Sequence, residues 1–215
     1  VYGMELPRPD PVDFGANVHR ALLSIHDQAR QGHITRPAEI EGIIALTWMP
    51  AIQADQAQDR QAKKAAVRQL KQYVTHYADS LKRIFQAEAG FSFELKQHVL
   101  VGKIDLLRQS EGGFELVDFK AGRSSSAALE QVAAQLDLYA LGAGSSLKLP
   151  ITKLCAHFLE DDQVYIRDWS LSREELARNG FGYIIDRITR HNFTPRLNYC
   201  AHCAEFRTIC PYVEG

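Results

Sequence analysis

Apolar residues recur every three or four positions near the start of the chain, which is the spacing of an amphipathic helix. Residues 13–31 place Val18, Leu22 and Ile25 on one face, and Gly32 provides a natural stop. The pattern therefore predicts a helix over residues 13–31 with one buried face.

Two more helices are predicted in the first part of the chain. One opens at Pro37, a residue suited to the first helical position, and runs to about Leu46. The other runs from about Gln53 to Ala87. Its apolar face carries Val67, Leu70, Val74, Tyr77, Leu81 and Ile84. Its other face carries Lys63, Lys64, Arg68, Lys71, Lys82 and Arg83. We interpret this basic face as solvated, with contact to nucleic-acid phosphates as the alternative.

The pattern changes after Gly90, where short apolar segments alternate with turn residues. The predicted elements are strands over residues 91–95, 97–108 and 114–120, a helix over 127–142, and strands over 151–160 and 163–170. Ser124 to Ser126 are available as caps of the helix over 127–142. Ser172 and Glu175 form a capping box that predicts a last helix ending near Arg190.

The hairpin of the second and third strands holds two acids within apolar segments. Residues 111–113 supply the reversal, so Asp105 is expected opposite Val117, one step from Asp118. Carboxylates this close repel each other and lose solvation, unless a cation lies between them or one keeps its proton. A divalent metal ion would resolve the conflict. Lys120 lies two residues after Asp118 and is expected on the same side of the strand.

Composition limits the other interpretations. The chain has 215 residues, is 46% hydrophobic and 24% charged, and is expected to form one domain with a C-terminal appendage. With a formal net charge of −1, any nucleic-acid binding depends on local patches. No apolar run is long enough to cross a membrane and no secretory signal is visible, so we expect a cytoplasmic protein without a membrane partner. The start at Val1, with Met4 inside, suggests a fragment of a longer protein or a tag remnant.

A polar stripe lies on the helix over residues 127–142, directly after the acid hairpin. Gln131, Gln135 and Tyr139 follow one another at intervals of four, so they share one face of the helix. We interpret the stripe as part of the same site. An exposed polar face is the alternative, and for Gln131 the two interpretations stay open.

Four segments, in this order, resemble the RecB-like branch of the PD-(D/E)XK nucleases. They are FGANVHRALL from Phe14, GKID from Gly102, VDFKAG from Val117 and QLDLYA from Gln135. Within this branch, the chain resembles the nuclease domains of AddA- and AddB-type helicase-nucleases and the CRISPR-associated RecB-like exonucleases. The resemblance implies an α/β fold of the restriction-endonuclease type, with a mixed central sheet flanked by helices, and hydrolysis of nucleic-acid phosphodiesters.

The resemblance also implies an organisation of the chain. We expect a nuclease domain over residues 1–195, with a helical region over 13–90, the catalytic sheet and helix over 91–170 and a C-terminal helix over 172–190, followed by a cysteine-bearing tail over 196–215.

Individual residues match functional positions of this family. The implied metal ligands are His19, Asp105, Asp118 and the backbone carbonyl of Phe119. Lys120 matches the catalytic lysine. Gln135 and Tyr139 match positions that orient the substrate or the lysine.

Members of the family often carry a further acidic residue one strand earlier. Glu94 is the candidate in this chain, although Glu88 is not excluded by its spacing. Carboxylate oxygens with one imidazole favour Mg²⁺ or Mn²⁺, which would polarise the scissile phosphate. Lys120 would position the attacking water or stabilise the charge of the transition state.

Cysteines form a second group in the tail. They are Cys200, Cys203 and Cys210. The expected cytoplasmic location argues against disulfides and favours a bound metal or cluster. The tail resembles iron–sulfur members of the same branch, in which a fourth cysteine before the histidine segment completes a [4Fe–4S] cluster. No cysteine precedes Cys155, which is expected to be a buried core thiol. We therefore expect the cluster only in an intact parent protein, with zinc and His191 or His202 as the alternative.

Together these features predict a Mg²⁺- or Mn²⁺-dependent deoxyribonuclease that acts as an exonuclease. It is expected to be the C-terminal module of a helicase-nuclease in DNA end processing and repair. The expected partners are DNA, single-stranded or with ends, and helicase motor domains of the same or a partner chain. The alternatives are a stand-alone CRISPR-type exonuclease, a catalytically inactive DNA-binding or scaffolding module, and a zinc-stabilised interaction domain.

Overall fold

The structure is a computed structural model that describes residues 14–50 and 56–193. Its helices are α1 (Phe14–Arg30), a 3₁₀ helix (Pro37–Glu39), α2 (Ile40–Thr47), α3 (Gln56–His76), α4 (Ala78–Leu81), α5 (Ser126–Gly142) with a π-helical turn (Ala143–Leu147), and α6 (Leu171–Thr189). Its strands are β1 (Ile84–Leu95), β2 (His98–Ser110), β3 (Gly113–Lys120), β4 (Ile151–Phe158) and β5 (Gln163–Asp168). Among the described residues, no helix is both long and apolar enough to span a membrane.

Within the described part of the chain, five strands form one sheet in the order β1-β2-β3-β4-β5. Neighbouring strands are antiparallel, except that β3 and β4 are parallel and are joined by α5. Helices α1, α2 and α3 cover one face of the sheet, and α5 covers the other. The predicted α/β architecture, a mixed sheet flanked by helices, is confirmed.

The helix boundaries follow their local chemistry. The predicted face of α1 is buried, including Val18, Leu22 and Ile25. Ser125 caps α5 by accepting a hydrogen bond from the Ala128 N–H. The cap predicted for the last helix is wrong by two residues, because Ser170, and not Ser172, accepts a hydrogen bond from the backbone of the first turn. Cys155 is fully buried, as predicted.

The predicted third helix is too long. It ends at His76, and after the short helix α4 the chain becomes extended at Ile84. Pairing with β2 begins there, with Ile84 opposite Arg108. The apolar spacing at Leu81 and Ile84 fits a helix, but the backbone of Ile84 finds its partners in a neighbouring strand. The helical region therefore ends before Ile84.

Strands β2 and β3 form the predicted hairpin, with a different register. Two residues, and not three, form the turn, and Gly112 adopts a φ of +73° there. Val117 consequently pairs with Leu106, so the predicted pairing with Asp105 is wrong. The pairing of β2 with β3 ends at this pair, and beyond it the Phe119 N–H donates to the Asp105 carboxylate. This contact holds Asp105 beside the end of β3, close enough to Asp118 for the charge of Asp105 to raise the pKa of Asp118.

The alternation of side chains along β1 is interrupted at Glu88. Ala87 and its partner Leu106 pack with the α1 and α3 side, whereas Ala89 and its partner Ile104 pack with the α5 side. Glu88 has a φ of +50°, which few residues other than glycine adopt. The carboxylate of Glu88 thus lies at the boundary between the two cores.

Candidate metal centre

Three side chains from three elements meet beside the end of β3. His19 comes from α1, Glu88 from β1 and Asp105 from β2, and their ligand atoms lie within 4.8 Å of one another. His19 Nδ1 lies 3.5 Å from Asp105 Oδ1, and His19 Nε2 donates to the Phe119 carbonyl at 3.1 Å. One imidazole with carboxylate and carbonyl oxygens is a donor set that suits a divalent cation such as Mn²⁺ or Mg²⁺.

Asp118 adds a buried carboxylate to this group. It is 1% exposed, and burial, together with the charge of Asp105, raises its pKa to about 6. Lys120 Nζ lies 2.9 Å from Asp118 Oδ2, but this oxygen accepts no hydrogen bond of good geometry from any described residue. A buried carboxylate oxygen that accepts no hydrogen bond is suited to binding a cation.

The protonation of His19 reflects the surrounding negative charge. Burial alone lowers its pKa, but the hydrogen bond to Asp105 and the charges of the nearby carboxylates outweigh burial, so the pKa of His19 is raised. The nearby carboxylates thus favour the protonated form of His19. A bound cation would instead require the neutral imidazole.

Asp105 is held in place by the backbone of the neighbouring strand. The Phe119 N–H donates to Asp105 Oδ2 at 2.8 Å, in place of a further ladder bond between β2 and β3. The peptide groups around Phe119 thus fix two parts of the site, because its carbonyl contacts His19 while its N–H orients Asp105.

A chain of hydrogen bonds leads from Lys120 into α5. Lys120 Nζ donates to Gln135 Oε1 at 2.8 Å, and Gln135 Nε2 donates to Tyr139 Oη at 2.6 Å. Burial raises the pKa of Tyr139, with a smaller contribution from Asp118, so the phenol keeps its proton at neutral pH. The structure brings the lysine together with Gln135 and Tyr139, two of the three residues of the predicted polar stripe.

Glu88, and not Glu94, lies in the cluster. Glu94 is exposed and pairs with Val99, six residues along β2 from Asp105, a separation of roughly 20 Å. Glu88 also forms an ion pair with Lys103, which sequence reasoning did not single out. The sequence offered one signal for Glu88, an acid one strand before Asp105, but the same signal applied to Glu94.

Comparison with known proteins identifies the fold family. The profile of the PD-(D/E)XK nuclease superfamily matches residues 2–211. The chain belongs to this superfamily. No curated protein matches the chain significantly in sequence.

Two solved structures align with most of this chain. The crystal structure of SSO0001 has 15% sequence identity and a TM-score of 0.46, and the match covers 93% of this chain and 85% of the other. A protein of Eubacterium rectale, described as "Putative exonuclease", has 13% identity and a TM-score of 0.46, with 99% and 96% covered.

An open pocket of about 430 Å³ adjoins the site of this PD-(D/E)XK chain. Lys120 and Gln135 line it, as does Gln131, the residue whose role the sequence left open. Arg123 lies on its rim, three residues after Lys120. The pocket and Arg123 depend on how β3, α1 and α5 come together, which no local sequence pattern indicates.

Three of the six residues of the predicted basic face form ion pairs with neighbouring acids. Lys63 pairs with Asp59 at 2.9 Å, Lys71 with Glu41 at 2.6 Å, and Lys82 with Asp79 at 2.7 Å. These pairs favour the interpretation of a solvated face over a phosphate-binding face.

The tail of this nuclease-family chain lies mostly outside the described residues. Cys200, Cys203, Cys210 and His202 belong to that part. His191, the other candidate zinc ligand, lies in the turn after α6. The iron–sulfur and zinc hypotheses both stay predictions.

Proposed function

We propose that this chain is a Mg²⁺- or Mn²⁺-dependent deoxyribonuclease that removes nucleotides from DNA ends. The observation that carries the proposal is the convergence of His19, Glu88 and Asp105 beside the buried Asp118 and Lys120. Membership of the PD-(D/E)XK nuclease superfamily supports phosphodiester hydrolysis as the reaction.

Five groups of this chain would bind the metal ion. His19, Glu88 and Asp105 would hold the cation, with Asp118 and the Phe119 carbonyl as further oxygen donors. When bound, the divalent ion would polarise the scissile phosphate and offset the charge that develops on it. The residues that surround it contribute a fixed arrangement, because the Phe119 backbone restrains both Asp105 and His19.

Lys120 would contact the phosphate itself. An ammonium has three N–H donors, and Lys120 directs one to Gln135 Oε1 and approaches Asp118 Oδ2 as an ion pair. The third donor can reach a phosphoryl oxygen and stabilise negative charge in the transition state. Gln135 and Tyr139 would hold the lysine in this position, and the Tyr139 hydroxyl can itself donate to the substrate.

The first test of the proposal is DNA cleavage. Labelled single- and double-stranded DNA is incubated in Mn²⁺ with the wild-type protein, Asp118→Ala and Lys120→Ala. We expect cleavage by the wild type and a loss of roughly 100-fold or more in each variant. Equal activity in all three proteins would point to a contaminating nuclease and would reject the assignment.

Two finer parts of the proposal rest on the sequence resemblance. One is that the domain works beside helicase motor domains in DNA end processing. The other is that Cys200, Cys203 and Cys210 contribute to a [4Fe–4S] cluster in an intact parent protein. Absorption of the anaerobically purified parent in the visible charge-transfer region tests the cluster, and metal analysis that finds zinc would favour the alternative.

A further inference from the structure

The pocket beside Lys120 lies on the opposite side of β3 from the metal centre. Asp105 belongs to β2, Lys120 to β3 and Phe158 to β4, in that order across the sheet. Phe158 lines the pocket together with the start of α1 and the second turn of α5. Strands two places apart are roughly 10 Å from each other, which is comparable to the size of one nucleotide. If the scissile phosphate of a DNA strand lies at Lys120, the neighbouring nucleotide of that strand can therefore reach the pocket.

The lining of the pocket combines apolar walls with a few polar groups. Phe14, Ala128 and Val132 contribute apolar surface, and Gln131 and Arg123 contribute polar ends. Its volume of about 430 Å³ is in the lower part of the range for small-molecule pockets. Apolar walls suit the faces of a base and a sugar, whereas a phosphate alone would not need them. A carboxamide can both donate to and accept from the edge of a base.

The rim of the pocket is fixed in advance by contacts from two other elements. The buried Gln69 of α3 donates to the Ala121 carbonyl at 3.0 Å. On the other side, the Ser124 hydroxyl donates to Asp161 at 2.7 Å. Arg123 lies between these two anchors. Its side chain is 69% exposed and its contact with Glu160 is long, at 3.5 Å, so its guanidinium can turn towards a substrate.

We propose that this pocket is a subsite for the nucleoside next to the scissile phosphate. Gln131 contacts the base of that nucleoside and sets the preference for it, and Arg123 contacts the following phosphate. The assignment rests on the proposed nuclease function for its position relative to the cleaved bond. It goes beyond that function because it gives roles to Gln131 and Arg123, which lie outside the catalytic machinery.

The test compares a chain with bases and a chain without them. Fluorescence anisotropy in Ca²⁺ measures the binding of an oligothymidine and of an equally long sugar–phosphate chain without bases. We expect Gln131→Ala to weaken oligothymidine binding by about threefold to tenfold and to leave binding of the base-free chain unchanged. Arg123→Ala should weaken the binding of both chains alike, because both carry phosphates. Gln61→Ala, a matched change of an exposed helical glutamine in α3, should alter neither.

The outcomes separate this proposal from the proposed function. A Gln131→Ala effect that is equal for the two chains, or absent for both, would overturn the nucleoside subsite even if the wild type cleaves DNA in Mn²⁺. A base-dependent effect of Gln131→Ala in a protein that cleaves no DNA would support the subsite and reject the nuclease function. Alanine is a strong helix former, so the variant is expected to keep the fold of α5.

Discussion

At the scale of single residues, the carboxylate of Asp118 opposes folding when it is ionised. Its pKa of about 6 in the folded protein lies above the ordinary value of 3.8, because the side chain is buried near Asp105. A group whose charged form is this unfavourable in the fold destabilises the protein at neutral pH in the absence of a cation. Function at this site would therefore be maintained at the expense of stability.

Replacing Asp118 with asparagine separates these two properties. We expect Asp118→Asn to raise the free energy of unfolding of the metal-free protein by roughly 1–3 kcal/mol at pH 7.5, because a neutral amide avoids the desolvation of a charge. The same change should abolish DNA cleavage. Urea denaturation in EDTA measures the first effect. A variant that is less stable than the wild type would contradict the electrostatic account of the site.

Single residues also show where sequence reasoning reaches its limit. His19, Asp105, Lys120 and Gln135 stand in short contiguous segments, and the structure brings them together. Glu88 could not be chosen over Glu94 from the sequence. Its place in the cluster depends on a left-handed backbone and on the register of β1 against β2, and neither leaves a periodic signal.

At the scale of elements, the register of the β2–β3 hairpin involves a buried ion pair. Arg108 and Glu115 lie opposite each other, and Arg108 Nε donates to Glu115 Oε2 at 2.6 Å. A slip by one residue would separate two buried charges, so the pair favours a single register. The turn pattern in the sequence located the reversal, but the register predicted from it was wrong by one residue.

Removing one member of this pair should be costly. We expect Arg108→Met to lower the free energy of unfolding by roughly 3–5 kcal/mol, because Glu115 is left buried without a partner. The double variant Arg108→Met/Glu115→Leu should recover most of that loss. Chemical denaturation of the three proteins measures both effects. A double variant that is no more stable than Arg108→Met would show that the unpaired charge is not the cause.

Close packing of α5 against the sheet depends on glycine. A Cβ built at Gly142 would come within 2.3 Å of the Phe91 ring, and one at Gly102 of β2 within 2.4 Å of the same ring. The Phe91 ring also lies edge-on to Tyr139, with 5.8 Å between the ring centroids. The packing of α5 is therefore linked to the position of a candidate active-site residue.

Gly142→Ala tests this link. We expect the added methyl group to destabilise the protein by about 1–3 kcal/mol and to lower the cleavage rate by displacing Tyr139. Gly144→Ala is the matched control, because a Cβ there meets no atom within 4 Å. Thermal unfolding and initial cleavage rates are compared for the two variants. Equal behaviour of Gly142→Ala and Gly144→Ala would contradict the packing argument.

At the scale of the whole molecule, protons and a divalent cation compete for the same groups at this site, so their stabilising effects should have opposite pH dependence. The folded protein binds a proton at Asp118 more tightly than the unfolded chain does, so the contribution of Asp118 to stability is lost as pH rises from about 4 to about 6. The raised pKa of His19 adds a further loss as pH rises above 6.5. A divalent cation requires the deprotonated groups, so its stabilising effect should grow over the same range.

Thermal unfolding between pH 5 and pH 8 measures both trends. In EDTA the buried His26, whose pKa is lowered to about 3 by burial, favours folding as the pH rises and opposes the trend from Asp118. Comparison with Asp118→Asn isolates Asp118, and the excess in midpoint temperature of this variant over the wild type should grow from pH 5 to pH 8. Saturating Mn²⁺ should raise the midpoint temperature of unfolding only slightly at pH 5 and by several degrees at pH 8. A Mn²⁺ effect that is independent of pH would place metal binding elsewhere in the protein.

The most direct test of the account is Mn²⁺-dependent cleavage of labelled single-stranded DNA by the wild type, Glu88→Gln and Glu94→Gln. The two variants make the same chemical change in one strand, but only Glu88 lies within 4.8 Å of His19 and Asp105. We predict that Glu94→Gln cleaves at the rate of the wild type and that Glu88→Gln loses roughly 100-fold or more, because a direct metal ligand is removed. Undiminished cleavage by Glu88→Gln would contradict the assignment of this cluster as the catalytic metal centre.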